Sequence, residues 1–253
     1  MGGRQLLCHL PLSEREITMR YLDFANRIQA NKATETLLTL IDLSPSMEDD
    51  DWKPSRKAGA IAANEELIAN KLRHHPEDRM GIIGFGSNAE LLHPPVCLGK
   101  GENSLRKALR RADGSGGTNF TAALKLAETC FFSIPLKSHD NSLLRVLSEI
   151  FVEPDVPKPA PVRNRHSLNR IIMLTDGEHN QGGSPLNIAA RLKKAGVIID
   201  CIGIGGSSEE VDEKLLKQIA SVNPDGSIRY CFIGDQKQLL QEYQTLARHI
   251  RAI

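Results

Sequence analysis

Four short aliphatic runs most constrain what this chain can fold into. They are "TETLLTLIDLS", "RMGIIGFGS" (79–87), "RIIMLTDGE" (170–178) and "GVIIDCIGIG". Each is nearly continuous in apolar residues rather than alternating, so each predicts a strand buried on both faces, as in a parallel sheet. The first strand is placed at roughly residues 35–42. Between the runs lie segments of helical pattern. "PSRKAGAIAANEELIANKLR" is alanine-rich with an aliphatic stripe, and Pro54 is placed at its first helical position. "NSLRKALRRA" reads as a short amphipathic helix, "TAALKLAETCFF" as the helix launched from the glycine-rich "DGSGGTNF", and "PLNIAARLKKA" as a helix over about 185–195. A helix near 209–221, a strand "IRYCFI" and a last helix from about Asp235 to Ile250 complete the order.

Strands alternating with helices at this spacing predict an α/β fold: a three-layer, Rossmann-like, doubly wound and mostly parallel sheet. "AELLHPPV" is the exception. Its two prolines exclude a central position and predict one short antiparallel edge strand. Residues 14–31, with Ile17, Tyr21, Leu22 and Phe24 partly on one face, predict a helix. The expected organisation is therefore an N-terminal helical extension over 1–33 and one domain over 34–253. An insertion at about 133–169 interrupts that domain. It contains the helical "NSLLRVLSEIF", the extended "EPDVPKPAP" and a small basic patch "RNRH", and it is read as a connector or a partner-binding element.

Composition narrows the class. Lysine plus arginine (32) nearly balances aspartate plus glutamate (31), so no nucleic acid or anionic membrane is expected as a partner. No apolar run approaches the ~18–20 residues of a transmembrane helix. The opening "MGGRQLLCHLPLSERE" lacks a signal-peptide core, and Leu6 breaks the myristoylation pattern. The cysteines (Cys8, Cys97, Cys130, Cys201, Cys231) are odd in number and scattered, with no CxxC pair and no zinc spacing. Reduced, mostly buried thiols in a cytoplasmic protein are expected.

In an open parallel sheet, ligands bind beyond the carboxyl ends of the strands. Three loops at such ends carry oxygen side chains: Asp42, Ser44 and Ser46 in the first, Thr118 in the glycine-rich loop, and Asp176 after "IIML". If the loops converge, two carboxylates and three hydroxyls offer hard ligands suited to Mg²⁺, with Mn²⁺ or Ca²⁺ as alternatives. Taken singly, each residue has an ordinary explanation as a helix cap or turn; the ordered combination does not.

That combination, "DLSPS", "GGTNF" and "TDGE", resembles the von Willebrand factor A (VWA) domain with its metal-ion-dependent adhesion site, the MIDAS, of the bacterial intracellular type. "RMGIIGFGSNAELLHPP", "GVIIDCIGIGG" and "RYCFIGDQKQLLQEYQTLARHI" look like further strands and the closing helix of that family. The resemblance implies a non-enzymatic scaffold or adaptor that grips a partner's Asp or Glu through the bound ion. Ser44 and Ser46 would be direct ligands. Asp42 and Asp176 would mostly hold water and geometry, and Thr118 would be the ligand that changes with state. By analogy the complex would involve chaperone-like ATPases, or kinases and phosphatases of a bacterial stress module. Glu48, Asp49, Asp50 and Asp51 depart from a plain MIDAS loop. They read as a solvated acidic turn before a helix, or as a rim that selects a partner carrying Lys or Arg beside its carboxylate. His179, near Asp176, is the one histidine placed to tune partner binding.

The competing class is a Mg²⁺-dependent phosphohydrolase or phosphate-binding module at the same strand ends. An aspartyl phosphotransferase wants a second acid two residues after the first, where this chain has Ser44. A P-loop motif is absent, "GIGGSS" lacks the last glycine of a dinucleotide loop, and "DGSGG" is not GxSxG.

Overall fold

The computed structural model describes residues 34–114, 116–132 and 167–248. The expected N-terminal helix, residues 133–166 of the expected insertion and the end of the closing helix lie outside the described residues. The described elements run β1 (Thr34–Asp42), α1 (Arg56–His74), β2 (Arg79–Phe85), β3 (Ala89–Cys97), α2 (Leu98–Leu109), α3 (Phe120–Phe132), β4 (Ser167–Thr175), α4 (Leu186–Lys194), β5 (Ile198–Ile204), α5 (Glu213–Ile219), β6 (Tyr230–Ile233) and α6 (Gln236–Arg248). They form one six-stranded sheet in the order β3-β2-β1-β4-β5-β6. β1 pairs in parallel with β2 and β4, β4 with β5, and β5 with β6, while β2 and β3 are antiparallel.

The aliphatic strands make two cores because successive side chains point to opposite faces. Leu37, Ile41, Met80, Ile172, Leu174 and Ile202 pack under α1, α2 and α6. Leu38, Leu40, Ile83, Ile171, Met173 and Ile199 pack under α3, α4 and α5. Each such side chain, wholly buried, contributes about 1.5–3 kcal/mol relative to exposure. A charge at Leu40, which has no exposed surface, would break the second core.

Several boundaries differ from the sequence expectation. Pro54 is not the first helical residue. Ser55 is the cap, its hydroxyl accepting the Ala58 amide at 3.2 Å, and the helix starts at Arg56. β3 is nine residues long rather than short, and it holds the sheet edge with register irregularities against β2. An edge position tolerates the missing amides of Pro94 and Pro95. β4 begins at Ser167, so residues 167–169, expected in the insertion, pair with Thr34–Thr36 of β1. The helix expected near 209–221 divides into a 3-10 turn, Ser208–Glu210, and α5, because Asp212 caps a fresh helix by accepting the Leu215 amide at 3.0 Å.

Near the amino ends of the strands the structure closes with buried ions. Lys71 at the end of α1 donates to Glu35 of β1 and, at 2.8 Å, to Asp78. The Glu35 amide bonds Asp78 at 2.9 Å. Arg170 of β4 reaches Asp200 of β5 at 2.7 Å and the Leu246 carbonyl at 3.0 Å, and Arg229 reaches the other Asp200 oxygen at 3.2 Å. These ion pairs fasten α1 and α6 to the sheet, while Glu35 Oε1 and Arg170 Nη2 stay without a hydrogen-bond partner among the described residues.

Candidate metal centre

The strand order reverses between β1 and β4: from β1 the chain moves outward to β2 and β3, then returns to β4 on the other side. Loops leaving neighbouring strands at such a switch point diverge and open a crevice at the carboxyl ends. Asp42 and Asp176 sit on either side of it.

Asp42 ends β1 with no exposed surface. Its Oδ1 accepts the Ser44 amide at 2.9 Å, and its Oδ2 accepts the Thr175 hydroxyl at 2.5 Å. Burial pushes its carboxyl up to about 6 against the pull of these bonds. The Ser44 and Ser46 hydroxyls lie 3.2 Å apart, and Ser46 Oγ donates to Asp176 Oδ1 at 2.9 Å. Asp176 Oδ2 accepts from Arg56 Nη1 at 3.1 Å. Burial raises the Asp176 carboxyl too, outweighing its bonds to Ser46 and Arg56.

Thr118 joins from the glycine-rich loop. Asn180, four residues beyond Asp176, holds its peptide from both sides: Asn180 Oδ1 accepts the Thr118 amide at 2.8 Å, and the Asn180 amide donates to the Thr118 carbonyl at 3.1 Å. A Cβ on Gly177 would lie 3.5 Å from Thr118 Oγ1, so the residue after Asp176 passes against the threonine hydroxyl. Thr118 is only 3% exposed.

The five residues expected at the site thus meet across three loops: Ser44 bonds Ser46, Ser46 bonds Asp176, and Thr118 closes on Gly177. The donor set fits a hard divalent cation. All four carboxylate oxygens of Asp42 and Asp176 accept hydrogen bonds. Among the described residues, no three His, Cys, Asp or Glu side chains gather as a metal cluster. An ion held mainly by hydroxyls keeps its charge for an outside ligand.

The acidic run divides. Glu48 bonds Lys57 at 2.7 Å, and Asp50 meets Lys53 at 3.3 Å in solvent. Asp49 is exposed. Asp51 is bound by the Arg56 guanidinium through Nε at 2.9 Å and Nη2 at 2.7 Å, which holds its carboxyl below the usual range. His179 accepts the Phe120 amide on Nδ1 at 3.2 Å, which puts the proton on Nε2 facing the Gly183 carbonyl at 3.1 Å; the ring stacks on Phe120. Both of its ring nitrogens are engaged with backbone.

Sequence reasoning missed Arg56, Thr175 and Asn180. Arg56 carried a signal: a cation in the first turn of a helix opposes the macrodipole and calls for acids nearby. Thr175 and Asn180 flank Asp176 too closely to be told from ordinary turn residues.

Fold and site together define a VWA-type α/β domain with an oxygen-lined crevice at its switch point. The chain matches the family model of the von Willebrand factor type A domain over residues 37–179, and it belongs to that family. It is 27% identical over 198 residues to the 26S proteasome non-ATPase regulatory subunit 4 homolog of Arabidopsis thaliana, covering 76% of this chain and 43% of that protein. This chain therefore spans less than half the length of that relative. Among solved structures, it resembles the von Willebrand factor type A protein from Catenulispora acidiphila (TM-score 0.61, 17% identity, 87% of this chain and 43% of that one). It also resembles the SpRpn10 VWA domain (TM-score 0.56, 18% identity, 87% and 98%). No helix among the described residues is long and apolar enough to cross a membrane.

Proposed function

We propose that this VWA domain is a non-catalytic, cytoplasmic protein-binding module that engages a partner's Asp or Glu through a divalent cation, Mg²⁺ by the hardness of its donors. Ser44, Ser46 and Thr118 hold the ion. Asp42 and Asp176 orient those hydroxyls and position water. The cation, once bound, supplies a positive centre for the partner's carboxylate. The observation that carries this reading is the convergence of the Ser44–Ser46–Asp176 chain of hydrogen bonds with the Gly177–Thr118 contact from two further loops. Both oxygens of Asp42 are committed to Ser44 and Thr175, which argues against its use as a phosphoryl-accepting nucleophile. The likeness to a proteasome regulatory subunit homolog supports a place in a multiprotein assembly. An ATPase- or kinase-associated complex of the stress-response type is one such setting.

Mn²⁺ titration followed by electron paramagnetic resonance tests the site directly. The expected result is one bound Mn²⁺ in the wild type and none in a folded Ser44→Ala, Ser46→Ala double variant. Equal binding by both proteins would sink the reading. A pull-down in Mg²⁺ against EDTA then tests the partner: a protein retained by the wild type only in Mg²⁺, and not by the double variant, is the expected outcome.

A further inference from the structure

Three hydroxyls and two carboxylates suffice to hold a cation, and Arg56 has no part in that set. Its side chain is nevertheless 7% exposed and meets three acids from three different loops. It binds Asp51 through Nε and Nη2, Asp176 through Nη1 at 3.1 Å, and Glu210 through Nη2 at 2.7 Å. The loop after β5 is shaped to bring Glu210 there. A Cβ on Gly205 would lie 2.7 Å from Glu210 Oε2, and one on Gly206 would lie 3.1 Å from Oε1. The "GIGG" run therefore serves close backbone approach to a carboxylate rather than a nucleotide. Ser207 and Glu210 form a reciprocal capping box that steadies the acid.

We propose that Arg56 is a resident counter-cation of the metal site. It pins Asp176 Oδ2, so that this oxygen is withheld from the ion. It also spends part of the cluster's negative charge, so that the ion is held weakly enough to exchange and to depend on a partner's carboxylate. This rests on the metal-binding reading above. Arg56 acts through Asp176 and is a positioning residue. A merely structural arginine would weaken metal binding when removed, because the site would distort; a competing cation would strengthen it.

Mn²⁺ affinity of the full chain, read by electron paramagnetic resonance, separates the two. Arg56→Met is expected to bind Mn²⁺ about tenfold more tightly than the wild type, the scale of one unit charge removed from beside an ion. Arg56→Lys keeps the charge and is expected within about twofold of the wild type. Glu210→Gln, a partly exposed position that guards against failure of Arg56→Met to fold, leaves Arg56 less neutralised and is expected to bind about threefold more weakly. Equal or weaker binding by folded Arg56→Met, or an unchanged affinity in Glu210→Gln, overturns the inference while leaving the metal site standing. Absence of Mn²⁺ binding by the wild type overturns the metal site and this inference together.

Discussion

At the amino ends of the strands, Lys71, Arg170 and Arg229 face Glu35, Asp78 and Asp200, and Glu242 adds its charge near Arg170. At the carboxyl ends, Arg56 alone faces Asp51, Asp176 and Glu210, with Asp42 buried close by. Both clusters are built from the same residue types on the same sheet. One supplies three cations and holds helices in place. The other supplies a single cation to its acids. A protein that buries charge needs partners for it, and where the chain does not supply enough of them the environment must. The imbalance, more than the presence of acids, is what sets the proposed metal site apart from the other end.

The comparison is broken most severely at the cation-rich end. Lys71→Met strands Glu35 and Asp78 as buried acids, and denaturant unfolding should show a loss of about 3–5 kcal/mol. The metal end should not notice. Mg²⁺ at one hundred times its Kd should add about 2.7 kcal/mol to the wild type and the same increment to Lys71→Met, because the two clusters share no side chain. Unequal increments would mean that the clusters are coupled. A finer contrast lies within the metal end. Thr175 spends its hydroxyl on Asp42, so Thr175→Val should cost about 1–3 kcal/mol. The hydrogen bonds of Thr118 to Asn180 run through its backbone, so Thr118→Val should change apo stability by no more than about 0.5 kcal/mol while lowering Mn²⁺ affinity. Equal stability losses at the two threonines would show that the Thr118 side chain is as structural as that of Thr175.

Much of this was legible in the sequence, for a physical reason. Doubly buried parallel strands must be aliphatic throughout, so β1, β2, β4 and β5 announce themselves, and a parallel sheet forces ligands to the loops that hold Asp42 and Asp176. The Asp-x-Ser-x-Ser run then located the crevice, with Thr118 and Asp176 completing it. What stayed hidden was set by contacts distant in sequence. Glu35, Arg170 and Asp200 sit inside or at the start of aliphatic strands, which was itself a sign of buried pairing, but nothing local says that Lys71 or Arg229 answers them. Arg56 finds Asp176 120 residues away. The boundary at Pro54 was misplaced because proline at a first helical position and proline just before a serine cap look alike until the cap's hydrogen bond is seen.

The positions of Phe132 and Ser167 have a practical consequence. α3 starts beside Thr118 and runs back along the sheet, about 20 Å over its thirteen residues, while β4 starts level with Thr34 of β1 and runs forward to Asp176. Phe132 and Ser167 therefore both lie towards the end of the sheet opposite the crevice. A fluorophore or affinity handle attached at those two anchor points would report on the domain without standing in the path of whatever docks at the serines, giving a ready-made place from which to watch the binding face.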